Sequence, residues 1–204
     1  MNVNIISMSW TIPGSHACLD KAIDKANRAN IIMFGSASDQ GAHIIDKPYM
    51  AKCSKNGVIC IGGAREAGYG DDSTKLEADF FFPGETQGIP QPLPHMKSSF
   101  GSKFGSSVAT ALASGLTALI MHLVELSRFG EDSGVDYRMQ LQNHENIRNI
   151  FRDMIADPKK TNSRTDSVIP VEKFFKPTWG DLMLGWGKEG VKNKLDRCLK
   201  QILR

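Results

Sequence analysis

Phe100 to Met121 reads FGSKFGSSVATALASGLTALIM, with two hydroxyls, Ser106 and Ser107, placed just after Gly105 at the mouth of a long alanine-rich run. The run predicts a buried helix from about Ser106 to Ser127, entered through the Gly105-Ser106-Ser107 turn. The amino end of a helix carries unpaired N–H groups and partial positive charge. A hydroxyl placed there either caps the helix or has its alkoxide character favoured, with amides nearby to hold an oxyanion. Spacing alone leaves both open. Ala109, Ala111, Ala113, Gly115 and Ala118 are expected to let the helix lie close against its neighbours. Thr110, Ser114, Thr117, His122 and Glu125 interrupt the apolar run, which favours a core helix over a membrane span.

Upstream, short β-branched runs alternate with a helix. Val3–Met8 (VNIISM) is long enough for a buried strand and too short for a helix. Ser15–Asn30 places Cys18, Leu19, Ala22, Ile23 and Ala26 at helical spacing, with Ser15 as N-cap and Asn30 at the end. NIIMFGS, GVICIGGA (Gly57–Ala64) and ADFFFPGE follow as strands, the last stopped by Pro83-Gly84. Nearly continuous apolar strands with an interleaved helix predict a mostly parallel sheet covered on both faces, an α/β fold. Ligands bind such sheets beyond the carboxyl ends of the strands. Those ends here, SWTIPGS, GSASDQGA and GGAREAGYGD, are small, polar and rich in glycine.

Downstream, Thr86–Ser99 is proline-rich and irregular. ENIRNIFRDMIA carries Ile147, Ile150, Phe151, Met154 and Ile155 on one helical stripe, and Asp157–Ser167 is a polar loop. VIPVEKFF reads as an edge strand or an extended packing segment. GVKNKLDRCLKQILR predicts a closing helix that buries Val191, Leu195, Cys198, Leu199 and Ile202. The 204 residues are read as a single domain without internal repeats.

Composition narrows the function classes. With 41% hydrophobic and 23% charged residues the chain is an ordinary globular protein. A formal charge of +3 makes no case for nucleic acid, and the lysine-rich tail reads as a solvated helix face. Four cysteines without C-x-x-C spacing make no zinc motif, and isolated thiols favour a reducing compartment. MNVNIISMSW lacks the features of a signal peptide. These readings predict a cytoplasmic protein with no metal, no nucleic-acid partner and no membrane. GGAREAGYGD has neither G-x-G-x-x-G nor a P-loop lysine, which argues against a nucleotide-binding protein.

GSSVATALASGLTALIM resembles the nucleophile motif of subtilisin-like serine peptidases (peptidase S8), Gly-Thr/Ser-Ser-Met/Val-Ala-Thr/Ser followed by an alanine-rich helix. Four further stretches resemble the family in the same order. VNIISMSW is similar to the strand that walls the substrate pocket, and ANIIMFGSASDQGA to the strand ending in Ala-Ala-Gly-Asn-x-Gly. YMAKCSKNGVICIGGA and FFFPGE are similar to the family's yPA…gVIaVGA and APG segments. The strongest resemblance covers residues 3–121, with a helical carboxyl-terminal region at 128–204. It implies a subtilisin-like three-layer sandwich and hydrolysis of a peptide or protein substrate through an acyl-enzyme.

Carried over residue by residue, the resemblance makes Ser107 the nucleophile and puts Asp39 at the position of the oxyanion-hole asparagine. Ser9, Trp10 and Thr11 would line one side of the substrate cleft, and Ser36, Ala37 and Ser38 the other. Relatives often bind structural calcium, though no motif for it is visible, so no cofactor is expected.

Two departures stand out. An ionised Asp39 would repel a developing oxyanion where an amide would donate to it, unless the carboxyl is protonated. Losing the family's own asparagine costs about 10²–10³ in rate. Some relatives nevertheless carry aspartate here. The triad order Asp, His, Ser also places the first two partners before Val3. None of the five histidines lies in an H-G-T-like setting, although His95 could approach from the loop before the serine.

The chain is therefore read as a partial domain, its carboxyl-terminal portion. It would be inactive alone, with an upstream half-domain supplying Asp and His. The alternative is a non-catalytic peptide-binding or degenerate half-domain that holds an extended peptide along an exposed strand edge.

Overall fold

The computed structural model describes residues 3–10, 12, 14, 16–39, 57–65, 78–85, 104–127, 141–155, 168–169 and 171. Thr11, His43, His95, the proline-rich 86–99 stretch, the 157–167 loop and the closing 190–204 segment lie outside these residues.

The elements are β1 (Ile5–Met8), α1 (Ala17–Arg28), β2 (Ile32–Ser36), β3 (Val58–Ala64), β4 (Phe80–Pro83), α2 (Ser106–Ser127) and α3 (His144–Met154). The strands form one parallel sheet in the order β1-β2-β3-β4. Every residue of β2 and β3 is buried, as an unbroken apolar run requires when both faces of a parallel sheet are covered. Alternation then sorts the side chains. Ile32, Phe34, Ile59, Ile61, Phe80 and Phe82 enter the core shared with α2 and α3. Met33 and Val58 pack with Met8 and Ile23, the latter on α1, on the other face. Helix, sheet and helix make three layers.

Phe151 on α3 anchors the larger core. Its ring centroid lies 5.2 Å from Phe82, 5.4 Å from Phe80 and 6.1 Å from Phe34. The stripe Ile147, Ile150, Phe151 and Met154 is buried as its spacing predicts, with Ile155 half-buried just beyond the helix. Arg148, on the same helix, is also buried. It forms a two-point ion pair with Asp79 (2.9 and 3.0 Å) and donates to the Val58 carbonyl at 3.0 Å. Asp79 in turn accepts from the Cys60 N–H at 2.8 Å. The ion pair thus ties α3 to the bottom of β3 and the approach to β4.

Three expectations need correction. The N-cap of α1 is His16, without a side-chain cap bond, and not Ser15. On the same helix only Ile23 is fully buried and Leu19 and Ala26 partly so, while Cys18 and Ala22 are exposed. The apolar stripe is narrower than the composition suggested, because α1 rests on the sheet along one line. On α2, Ala109 and Ala113 face the core, but Ala111, Gly115 and Ala118 face solvent. The helix meets the sheet through Ala109, Ala113, Leu116, Ile120 and Val124.

The buried hydroxyls of α2 are satisfied within the helix. Thr110 donates to the Ser106 carbonyl (2.7 Å), Ser114 to that of Thr110 (2.8 Å), and Thr117 to that of Ala113 (3.0 Å). Such bonds let polar residues sit in a core without leaving an unpaired donor. By length and composition alone α2 could cross a membrane, yet its buried stripe lies on the sheet. The VIPVEKFF segment touches the sheet at Val168, which bridges to Phe81 in parallel, with Ile169 N–H donating to the Phe81 carbonyl at 2.9 Å.

Candidate active site

The carboxyl ends of all four strands converge beneath the amino end of α2. Gly105 N–H donates to the Gly84 carbonyl at 2.9 Å, and Gly84 N–H to that of Ala64 at 2.9 Å. A Cβ at Gly63 would stand 3.2 Å from the Gly105 carbonyl carbon, so the turn lies almost on the backbone of β3. Gly105 has φ +157°. From there the chain enters the helix directly, Val108 N–H donating back to the Gly105 carbonyl at 3.1 Å.

The two serines part at this turn. Ser106 is fully buried and Ser107 is exposed, as successive residues at a helix start point in different directions. Ser107 Oγ donates to the Ser9 carbonyl at 3.2 Å, and Ser9 Oγ donates to the Ser107 carbonyl at 3.2 Å. The end of β1 and the start of α2 are thereby laced together at the surface.

Ser106 turns the other way, toward Asp39. Its N–H lies 3.0 and 3.1 Å from the two carboxylate oxygens, and its hydroxyl donates to Oδ1 at 2.5 Å. A Cβ on Gly105 would come 2.8 Å from Asp39 Oδ2, so the glycine leaves the space the carboxylate fills. The negative charge sits where the helix end is partly positive.

The other residues carried over from the resemblance gather at this same end. Trp10 is 40% exposed and follows Ser9 in the chain. Ser36, Ala37 and Ser38 are buried, and Ser36 Oγ donates to the Trp10 carbonyl at 3.4 Å. Ser36 therefore buttresses the Trp10 loop from below. Thr11 lies outside the described residues.

Sequence reasoning did not single out the neighbouring pair Arg65 and Phe104, whose guanidinium lies 4.9 Å from the ring centroid. The double glycine in GVICIGGA was the available signal for the close approach of β3 to the serine turn.

His122 stands on α2 fifteen residues beyond Ser107, about 22 Å along the axis at 1.5 Å per residue. His16 precedes α1 and His144 begins α3. Among the described residues no group of three or more His, Cys, Asp or Glu is gathered that could hold a metal ion.

A parallel α/β sheet with a serine at the amino end of a buried helix, above the strand ends, defines a hydrolase-like arrangement. The chain belongs to the subtilase family, peptidase S8, whose family model matches residues 1–155. Two solved structures share the fold. The prenylagaramide maturation protease PagA has 18% identity and a TM-score of 0.54, over 82% of this chain and 59% of that one. A serine-to-alanine mutant of the PatA protease domain has 18% identity and a TM-score of 0.55, over 87% and 60%. This chain thus spans about 60% of the length of those neighbours. No curated protein matches it.

Proposed function

We propose that the chain is the nucleophile-bearing portion of a subtilisin-like serine endopeptidase, with Ser107 attacking the scissile carbonyl to form an acyl-enzyme. The observation that carries this reading is the exposed Ser107 hydroxyl at the first turn of α2, above the strand ends of a subtilase fold. A general base must take the serine proton in the attack, return it to the leaving amine, and later activate water against the ester. The triad order Asp, His, Ser, with none of the five histidines in an H-G-T-like setting, supports a base and orienting aspartate supplied by an upstream half-domain. Asp39 occupies the oxyanion loop. Trp10, with Ser9, forms one wall of the peptide cleft, and the Ser36–Ser38 strand end forms the other. The substrate is a peptide or protein.

A second reading is favoured by the Ser107 hydroxyl donating to the Ser9 carbonyl at 3.2 Å, a hydroxyl held by backbone and not by a base. In that reading the chain binds an extended peptide without cutting it. Peptide hydrolysis separates the two. Cleavage of a fluorogenic peptide library by a polypeptide that joins these residues to an H-G-T-bearing segment, abolished by Ser107→Ala, supports the peptidase. Saturable peptide binding with no turnover in that same polypeptide supports the binding module.

A further inference from the structure

We infer that Asp39 is a positioning residue. Its carboxylate holds Ser106 and, through it, fixes the backbone from which Ser107 is presented. The inference rests on Ser107 being the reactive hydroxyl, and it assigns Asp39 work that the oxyanion position does not imply.

Three contacts converge on one residue: the Ser106 N–H reaches both carboxylate oxygens and the Ser106 hydroxyl reaches Oδ1. The sequence separation is 67 residues, so the carboxylate fastens the start of α2 to the end of β2. Ser106 has no solvent exposure, whereas Asp39 is exposed, so the carboxylate reaches a buried N–H and hydroxyl from the solvent side. Gly105 admits the carboxylate, since a Cβ there would meet Oδ2 at 2.8 Å.

On its other side the turn is tied to β1 by the reciprocal Ser9–Ser107 bonds. Ser107 is therefore held between two strand ends. An Asp39 oxygen engaged by Ser106 points at the residue behind the nucleophile. The helix end that would attract an anion already has one.

An asparagine at position 39 can accept from the Ser106 N–H and hydroxyl through its one amide oxygen, losing only the second carboxylate contact, whereas an alanine accepts neither. This difference sets the test, made on the whole chain. The Ser106 amide proton is followed by NMR in wild type, Asp39→Asn and Asp39→Ala. Asn143→Ala serves as the control, because Asn143 Oδ1 caps α3 by accepting from Glu145 N–H at 2.8 Å, a cap unconnected to Ser106. Loss of a side-chain cap is expected to speed exchange of the Ser106 amide roughly five- to tenfold in Asp39→Ala. Asp39→Asn restores most of the protection, and Asn143→Ala leaves it unchanged.

The second readout is the rate at which a fluorophosphonate, assisted by added imidazole, labels Ser107. It is expected to fall in Asp39→Ala, to be retained in Asp39→Asn and to be unaffected in Asn143→Ala. A Ser106 amide indifferent to Asp39→Ala overturns the inference, as does an equal loss of labelling in Asn143→Ala. Wild-type protein that is never labelled counts against the nucleophile reading alone, and the Ser106 amide then decides the Asp39 contact by itself.

Discussion

Ser9 and Ser107 exchange hydrogen bonds, each hydroxyl donating to the other's backbone carbonyl at 3.2 Å across 98 residues of sequence. This pair closes β1 onto the first turn of α2. It lies at the surface, where water competes for every group involved. Ser9→Ala removes one bond and leaves the Ser107 hydroxyl its acceptor, because that acceptor is backbone. The expected cost is about 0.5–1 kcal/mol, read as a shift of the urea midpoint with an unchanged slope. A loss well beyond that range would show that Ser9 supports more than this lacing.

Two glycines should respond to alanine with opposite signs. At Gly105 the new methyl would meet Asp39 Oδ2 at 2.8 Å, so Gly105→Ala must push the carboxylate off Ser106. The expected destabilisation is about 1–3 kcal/mol. Gly115 is exposed in the middle of α2, and a methyl there meets nothing within 4 Å. Gly115→Ala should stabilise by about 0.5–1 kcal/mol, because alanine loses less backbone freedom in a helix. Thermal melts of the two variants check both signs.

The Asp79–Arg148 pair is expected to matter more than any surface ion pair. Asp79→Ala removes the carboxylate that holds the Arg148 guanidinium in a largely buried place and leaves it facing the Val58 carbonyl. Such a loss costs about 3–5 kcal/mol. Replacing both together, Asp79→Ala with Arg148→Met, should cost clearly less than Asp79→Ala alone. A double variant worse than either single one would contradict that account.

Glu145 offers a small and signed pH effect. The hydrogen-bonded Arg152 guanidinium, 2.8 Å away, holds its carboxyl below the usual glutamate range. A lowered folded-state value means the pair's contribution is complete above the ordinary range and is lost as pH falls through the lowered value. Both side chains are about half exposed (51%), so solvent screening limits the contribution to about 0.5 kcal/mol or less. Glu145→Gln should lower stability slightly at pH 7 and not at all at pH 2. Paired denaturation curves at the two pH values test the sign.

Much of the sheet was legible because its signal is local. The runs NIIMF, VICIGGA and DFFFP have no polar face to lose, which only a strand covered on both sides allows. The serine turn was legible for the same reason, since Gly105, the two hydroxyls and the apolar run are adjacent. What escaped depends on partners far along the chain. Arg148 drew no reading from the sequence, because its counter-charge, Asp79, stands 69 residues earlier. Asp39 was assigned by alignment to a family position, whereas its contact with Ser106 depends on how β2 and α2 meet. The small residues of α2 misled for a different reason. Composition says that a helix can approach closely, but not which face does so, and Ala111, Gly115 and Ala118 turned out to face water.

The central claim is that Ser107 is the reactive hydroxyl and that its base comes from outside residues 1–204. Intact-mass analysis after fluorophosphonate treatment, with and without added imidazole, tests it most directly, using Ser107→Ala as control. The account predicts no adduct without imidazole. With it, a single adduct should form on Ser107 and be absent in Ser107→Ala. Labelling of Ser107 without imidazole would place a working base inside the chain. Folded protein that stays unlabelled at saturating imidazole would mean that Ser107 is not the nucleophile. Either result would contradict the account.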